Sequence, residues 1–271
     1  MIAAIVVTYH PRADQVFGNI RAFSDVVDRI LIWRNSPEEL VVPEDLEEKV
    51  ILMGDGQNTY MAKPLNMALA WCAQNGCDYL LTMDQDSLWI DAGHFISRCL
   101  SAAEKDVAIY APYVIGQYET PAEDYDAESV ITSGSLVNVD IANKLGGFRE
   151  DYRIYWVDGE FCFWARTNGY RIRVLHDCAL RQQFGKQSRT LFGFTTSNYS
   201  ATVYYYLIRN MFWMRREFPK GVSFKTVLYT LMYNIRGILL GEKQKFRKIT
   251  SINKGIVHGL FSKISKRPAL V

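Results

Sequence analysis

The sequence predicts an α/β fold built on a mostly parallel, doubly wound sheet. Three observations carry this. Apolar runs at 2–7, 29–33, 50–53 and 78–83 have strand length, and segments 13–23 and 63–75 between them have helical character. The links are short, as in the β-α-β-α-β order of a parallel sheet. With 271 residues, 49% hydrophobic and 22% charged, the chain can bury the core of one large domain, with or without a C-terminal appendage.

Taken in order, the first strand ends in Thr8-Tyr9-His10-Pro11, and open α/β sheets place ligands just beyond such strand ends. The second ends at Arg34-Asn35-Ser36-Pro37, the acidic segment 43–49 is surface, and the third runs into Gly54-Asp55-Gly56-Gln57-Asn58. Leu65, Ala68, Leu69 and Cys72 give 63–75 its period. No G-x-G-x-x-G follows the first strand, which argues against a dinucleotide-binding enzyme. Further on, 92–105 is expected to be a helix, 107–111 a strand and the acidic stretch 119–128 a mobile loop. Segment 130–137 is a strand broken by Ser133-Gly134-Ser135, where a ligand could approach the backbone or a bulge could form. A short helix over 141–145 closes at Gly146-Gly147. Tyr155-Trp156-Val157-Asp158-Gly159-Glu160 then leads into a helix reaching Gly169. Asp158 falls at that helix's N-terminus, where negative charge is favoured; a plain capping role is the alternative.

The fourth strand ends abruptly in Asp84-Gln85-Asp86-Ser87. Residues i and i+2 of a strand face the same way, so continued pairing would aim Asp84 and Asp86 into one crevice. Adjacent carboxylates are costly without a cation or hydrogen bonds. Mg²⁺ or Mn²⁺, sharing its remaining positions with substrate phosphates, suits them; two solvated loop aspartates are the alternative.

Five cysteines without a C-x-x-C pair fit reduced thiols in the cytosol. Residues 2–7 are too short for a signal segment, and no apolar run is long enough to span a membrane. From Tyr204 onward fourteen Lys and Arg face only Glu217 and Glu242, while the rest of the chain is net acidic. The expected division is therefore 1–203 as catalytic domain and 204–271 as a basic, aromatic helical extension. Such a tail suits an anionic surface: membrane lipid, nucleic acid or a diphosphate-bearing substrate. Cations alternating with apolar faces suit helices lying in a membrane interface or contacts in a homo-oligomer, and nucleic acid is not expected as the partner.

A set of blocks recurs in a fixed order. They are Val6-Val7-Thr8-Tyr9-x-Pro11, Asn35-Ser36, Asn58 with Leu65-Asn66, Asp84-Gln85-Asp86-Ser87 and Ser133-Gly134-Ser135-Leu136. Gly146-Gly147-Phe148, Val157-Asp158-x-Glu160, Gly169-Tyr170, Tyr205-Tyr206-x-x-Arg209-Asn210 and Gly255-x-x-x-Gly259-Leu260 follow. Over about 2–260 the chain resembles the family 2 inverting glycosyltransferases of GT-A fold, and most their bacterial rhamnosyltransferase branch. The resemblance implies a nucleotide-diphosphate sugar donor and a saccharide acceptor, expected to be a lipid-linked polysaccharide precursor at the inner face of the cytoplasmic membrane. It implies a metal at Asp86, with Asp84 on the ribose or the metal, and Asp158 as catalytic base. Thr8, Tyr9 and Pro11 should line the nucleotide pocket with Asn35, Asn58 and Asn66 nearby. Ser133, Gly134, Trp156 and Glu160 fall on the sugar or acceptor side, an exposed helix position being the alternative for Glu160.

The chain departs from the family pattern at several of these points. Arg34 stands where an aspartate usually precedes Asn-Ser, His10 replaces the usual asparagine before Pro11, and Tyr60-Met61 replaces a Gly-rich piece. The metal-facing histidine of the Leu-x-His-x-Leu-Gly block falls on Gln182, with His176 a possible substitute. A nucleotidyltransferase would share the carboxylate chemistry but needs a Gly-rich phosphate loop, which is missing. A non-catalytic carbohydrate- or membrane-binding protein would not need Asp84, Asp86 and Asp158 together.

Overall fold

The computed structural model describes residues 1–116, 120–182, 188–189, 195–265 and 267. It divides into two compact units, one of 1–149 with 161–183 and one of 150–160 with 184–267. The division differs from the expected break at 203: segment 150–160, which carries Asp158, groups with the basic helices.

In the first unit β1 (Ile2–Thr8) is buried along its whole length, because its run of small and β-branched residues pairs on both edges. After α1 (Ala13–Arg21), β2 (Arg29–Arg34) pairs parallel with one edge of β1, and β3 (Val50–Met53) pairs parallel with β2. After α2 (Ala62–Gln74), β4 (Tyr79–Asp84) pairs parallel with the other edge of β1. The register sets Thr8 opposite Arg34 and Val7 opposite Asp84, so these strands end level.

Next come β5 (Leu88–Trp89), α3 (Ala92–Ser101), β6 (Val107–Val114), β7 (Tyr125–Asp126), β8 (Ser135–Asn138) and α4 (Val139–Lys144). Helix α5 (Val157–Thr167) begins in the second unit and leads to β9 (Arg171–Arg181). The strand order is β3-β2-β1-β4-β8-β6-β9-β5, with β8 antiparallel to both neighbours and β6 parallel to β9.

Several boundaries moved. Helix α3 stops at Ser101 rather than 105, because the Tyr110 hydroxyl accepts from the Glu104 N–H and donates to the Ala102 carbonyl, fixing a turn. Strand β8 starts at Ser135, leaving 130–134 as loop, and the acidic stretch 119–128 contributes β7 on the edge of β9. Glu119 lies outside the described residues. Strand β9 was not foreseen. Its outward Arg171 and Arg173, which pair with Asp106 and Asp126, alternate with buried Ile172 and Val174.

The second unit contains α6 (Ala201–Glu217), α7 (Phe224–Gly241) and α8 (Lys245–Phe261). Ser200 and Ser223 cap α6 and α7, each accepting a backbone N–H three residues on. Helix α8 packs closely on α6 through its glycines. A Cβ on Gly255 would lie 2.8 Å from the Tyr205 carbonyl, and one on Gly259 would lie 2.6 Å from the Phe212 Cβ. Glu242 is fully buried and satisfied: it accepts from the Tyr204 hydroxyl (2.7 Å) and the Asn198 N–H, and pairs with Lys248 (2.7 Å). Among the described residues no helix is long and apolar enough to cross a membrane. All five cysteines are buried and none is in a disulfide.

Candidate functional site

Strand β4 delivers Asp84 to the level strand ends, but the strand geometry stops there. The Ser87 N–H bonds the Asp84 carbonyl, so Gln85 and Asp86 form the corner of a turn. The i, i+2 alternation therefore does not set the direction of Asp86. Asp86 is half-buried; desolvation pushes its carboxyl above the ordinary carboxylate value, and no described cationic side chain pairs with it. At the end of β9, Gln182 Nε2 donates to Asp84 Oδ2 (2.8 Å), while Gln182 Oε1 is buried with no partner among the described residues. A carbonyl oxygen without a donor, next to a carboxylate, is a suitable ligand for a hard divalent cation, so this donor set fits Mg²⁺ or Mn²⁺. His176 does not complete the set. It is held by Asp124 (2.7 Å), whose other oxygen pairs with Arg98, and Asp177 pairs with His94. Gln183, Phe184 and Gly185, in the same block, lie outside the described residues.

The ends of β1 and β4 are tied together by a residue that the spacing argument passed over. Gln85 accepts from the Tyr9 N–H (2.9 Å) and donates to the Tyr9 carbonyl (3.1 Å), and its own carbonyl accepts from Asn19. Its central place between two aspartates was the only signal available. Tyr9 itself is 50% exposed beyond Thr8, which is buried and donates to the Trp33 carbonyl. Pro11 follows, partly exposed. Arg34, at the end of β2, donates from Nη2 to the Gly54 carbonyl while its Nε is buried without a partner among the described residues. His10 Nδ1 meets Glu38 at 2.6 Å.

Several residues expected near ligand have structural work. The Asn35 amide is buried and holds the 54–60 loop, accepting from Thr59 and donating to the Tyr60 carbonyl. Asn58 makes a local turn, accepting from the Tyr60 N–H. Asn66 clamps the Phe148 peptide, donating to its carbonyl (2.8 Å) and accepting from its N–H (2.7 Å). The Ser133 hydroxyl is buried and accepts from the Asp84 N–H (3.0 Å), bracing the carboxylate strand from behind. Gly134 sits at φ +81°, and a Cβ there would meet Leu180 and Pro112 at 2.9 and 3.0 Å, so packing and backbone account for it.

In the second unit the segment before Asp158 is strained and braced. Arg153, Tyr155 and Trp156 all have φ near +60°, a region that non-glycine residues rarely adopt. Asn210 Nδ2 donates to the carbonyls of Tyr152, Ile154 and Tyr155 at 2.8–2.9 Å, and Arg209 donates to the Asp151 carbonyl at 2.5 Å. The Arg209 guanidinium lies over the Trp213 ring (4.0 Å). Asp158 accepts from the Gly159 N–H in the first turn of α5 and is partly exposed. The Trp156 indole N–H is buried with no partner among the described residues. Glu160 is not the exposed helix residue considered as the alternative: it is 1% exposed and forms a two-pronged ion pair with Arg267 (2.5 and 2.7 Å).

The fold is that of the GT-A glycosyltransferases. No family model matches the chain. It is 22% identical over 272 aligned residues to a dTDP-rhamnosyl transferase, RfbF, of Shigella flexneri, covering 90% of each. Its structure is similar to S. aureus TarS 1-349 in complex with UDP-GlcNAc, at a TM-score of 0.60 and 13% identity over 95% of this chain and 81% of that one. It is also similar to GalNAc-T7 with UDP, GalNAc and Mn²⁺, at a TM-score of 0.59 and 8% identity over 80% of this chain. The match spans only 48% of the GalNAc-T7 chain.

Proposed function

We propose that the protein is an inverting glycosyltransferase that moves a sugar, rhamnose-like or hexose, from a nucleotide diphosphate to a hydroxyl of a cell-surface polysaccharide precursor. The observation that carries this reading is the Asp84–Gln182 pair, whose amide oxygen has no partner among the described residues, at the end of β4 in a GT-A sheet, with half-buried Asp86 two residues on in the chain. Asp86, Asp84 and the Gln182 carbonyl would hold Mg²⁺ or Mn²⁺, which would supply positive charge beside the departing diphosphate. Thr8, Tyr9 and Pro11 receive the nucleotide. Asp158 takes the proton of the acceptor hydroxyl as that oxygen attacks the anomeric carbon opposite the leaving group. One base with no carboxylate nucleophile fits a single displacement. The Trp156 N–H, buried and without a partner among the described residues, would serve a sugar hydroxyl.

The likeness to a dTDP-rhamnosyl transferase supports dTDP-rhamnose as donor. Arg34, standing where the family has an aspartate, keeps a UDP-hexose as the second reading. The basic extension supports work at the inner face of the cytoplasmic membrane on a lipid-linked acceptor. Incubation with a panel of nucleotide sugars tests the reading. Free nucleoside diphosphate should appear, and Asp158→Asn should lower turnover by about 10²–10⁴-fold with donor binding kept. Release of pyrophosphate instead would identify a nucleotidyltransferase, and unaltered turnover in Asp158→Asn would remove the base assignment.

A further inference from the structure

Helix α7 carries more apolar surface than its unit covers. Val227, Asn234, Gly237 and Ile238 mark the buried side. On the other side Leu228, Tyr229, Met232, Leu239 and Leu240 are 43–69% exposed, and Phe224, at the first turn, is 64% exposed. At 3.6 residues per turn, Tyr229, Met232, Arg236, Leu239 and Leu240 cluster opposite the buried stripe, along a helix roughly 27 Å long. Phe246, at the start of α8, is 88% exposed between Lys245 and Arg247. A continuous apolar face of this kind marks an interaction surface.

The charges around it choose the partner. Lys220 and Lys225 are exposed at one end of α7, and Lys243 and Arg247 at the other. The two acids in the unit's helical part are engaged elsewhere: Glu217 accepts from the Tyr152 hydroxyl, and Glu242 is buried against Lys248. Among the described residues of these helices, the exposed charges beside the apolar face are therefore cationic. A second copy of the chain would bring like charges together, since a two-fold contact must complement itself. A bilayer of anionic phospholipid offers both an apolar layer for Leu228, Tyr229 and Met232 and phosphates for the lysines.

We infer that the outward face of α7, with Phe246, lies flat in the surface of an anionic phospholipid bilayer. This deepens the membrane placement proposed above and stands on α7 without reference to sugar transfer. Each exposed cation close to the leaflet adds to binding, and the effect is lost within a Debye length.

The test uses the full-length protein, sedimented with vesicles of phosphatidylcholine alone or mixed equally with phosphatidylglycerol. Binding should require phosphatidylglycerol and weaken as salt rises from about 0.1 to about 0.5 M. The double variant Tyr229→Ser/Met232→Ser should bind roughly 20-fold or more weakly. Its far-ultraviolet circular dichroism, melting temperature and release of nucleoside diphosphate from a soluble donor should match wild type. Tyr229→Trp should show blue-shifted emission on phosphatidylglycerol vesicles only. Equal binding to both vesicle types, no binding to either, or a stable solution dimer dispersed by the same double substitution would overturn the inference. Loss of donor turnover in wild type with vesicle binding intact would instead fault the glycosyltransferase reading.

Discussion

Desolvation raises the Asp86 carboxyl in the folded protein, so the fold binds its proton more tightly than the unfolded chain does. Its contribution to the stability of the metal-free protein is then most favourable below the unfolded value and falls as pH rises through the raised folded value. In EDTA, Asp86→Asn should raise the melting temperature at neutral pH and flatten its dependence on pH across that window, while metal-supported donor binding is lost. A variant that melts below wild type in EDTA would show that ionised Asp86 is already compensated by the protein. The orphan oxygen of Gln182 makes a separate prediction: Gln182→Leu should weaken Mn²⁺ binding by about 10–100-fold in calorimetry. Unchanged affinity would exclude that carbonyl as a ligand. At this scale Asp84 and Asp86 stood out because two carboxylates one residue apart after an apolar strand are costly without compensation, whereas Asp158, at a helix N-terminus, is singled out by the resemblance rather than by its position. Asn66 and Gly134 have structural work that the sequence did not show. A linear pattern cannot separate an amide that meets a ligand from one that clamps a peptide 82 residues away, or a glycine beside a ligand from one beside Leu180.

Helix α6 acts as a brace, through adjacent side chains, for the segment that leads to Asp158. Asn210 serves three carbonyls of a turn containing three left-handed non-glycine residues, a conformation costing on the order of 1–3 kcal/mol per residue. Asn210→Ala leaves those buried carbonyls unserved, and the turn should relax. Turnover is expected to fall roughly 100-fold while donor affinity holds, because misplacement of the proposed base acts on the chemical step. A matched fall in donor affinity would point to general unfolding of the unit instead. The crossing of α8 on α6 supports the same turn from the far side of the helix. Gly259→Ala puts a methyl against the Phe212 Cβ and the Arg209 carbonyl, so the helices must separate, at about 1–3 kcal/mol by denaturant titration. The Tyr-Tyr-x-x-Arg-Asn and Gly-x-x-x-Gly blocks were visible in the sequence, but their work was not, since it depends on which backbone they meet. Strand β9 was hidden because its alternation runs through arginines whose carboxylate partners are distant in sequence.

Across the whole chain, an acidic sheet-bearing part and a basic helical part were legible from charge alone, whereas the grouping of 150–160 with the helices was not, because it rests on contacts rather than composition. The level strand ends at Thr8, Arg34 and Asp84 followed from the parallel pattern, and near them lie the polar groups least satisfied among the described residues: Asp86 has no cationic partner there, and Gln182 Oε1 and Arg34 Nε have no hydrogen-bond partner. Ligands that supply the missing partners should therefore stabilise the protein. A metal-bound nucleoside diphosphate at about 100 times its dissociation constant adds about 2.7 kcal/mol. For a chain of this size that is a rise in melting temperature of roughly 5–10 °C. The rise should need Mn²⁺ or Mg²⁺ and nucleotide together, vanish in EDTA, and be absent in Asp86→Asn. Comparing dTDP, UDP and GDP at equal concentration reads the base preference directly, with dTDP or UDP expected to lead. An equal shift from pyrophosphate alone would mean that the base is not recognised and would favour the nucleotidyltransferase alternative. A full shift in EDTA would assign the phosphates to cationic side chains rather than to a metal at Asp84 and Asp86.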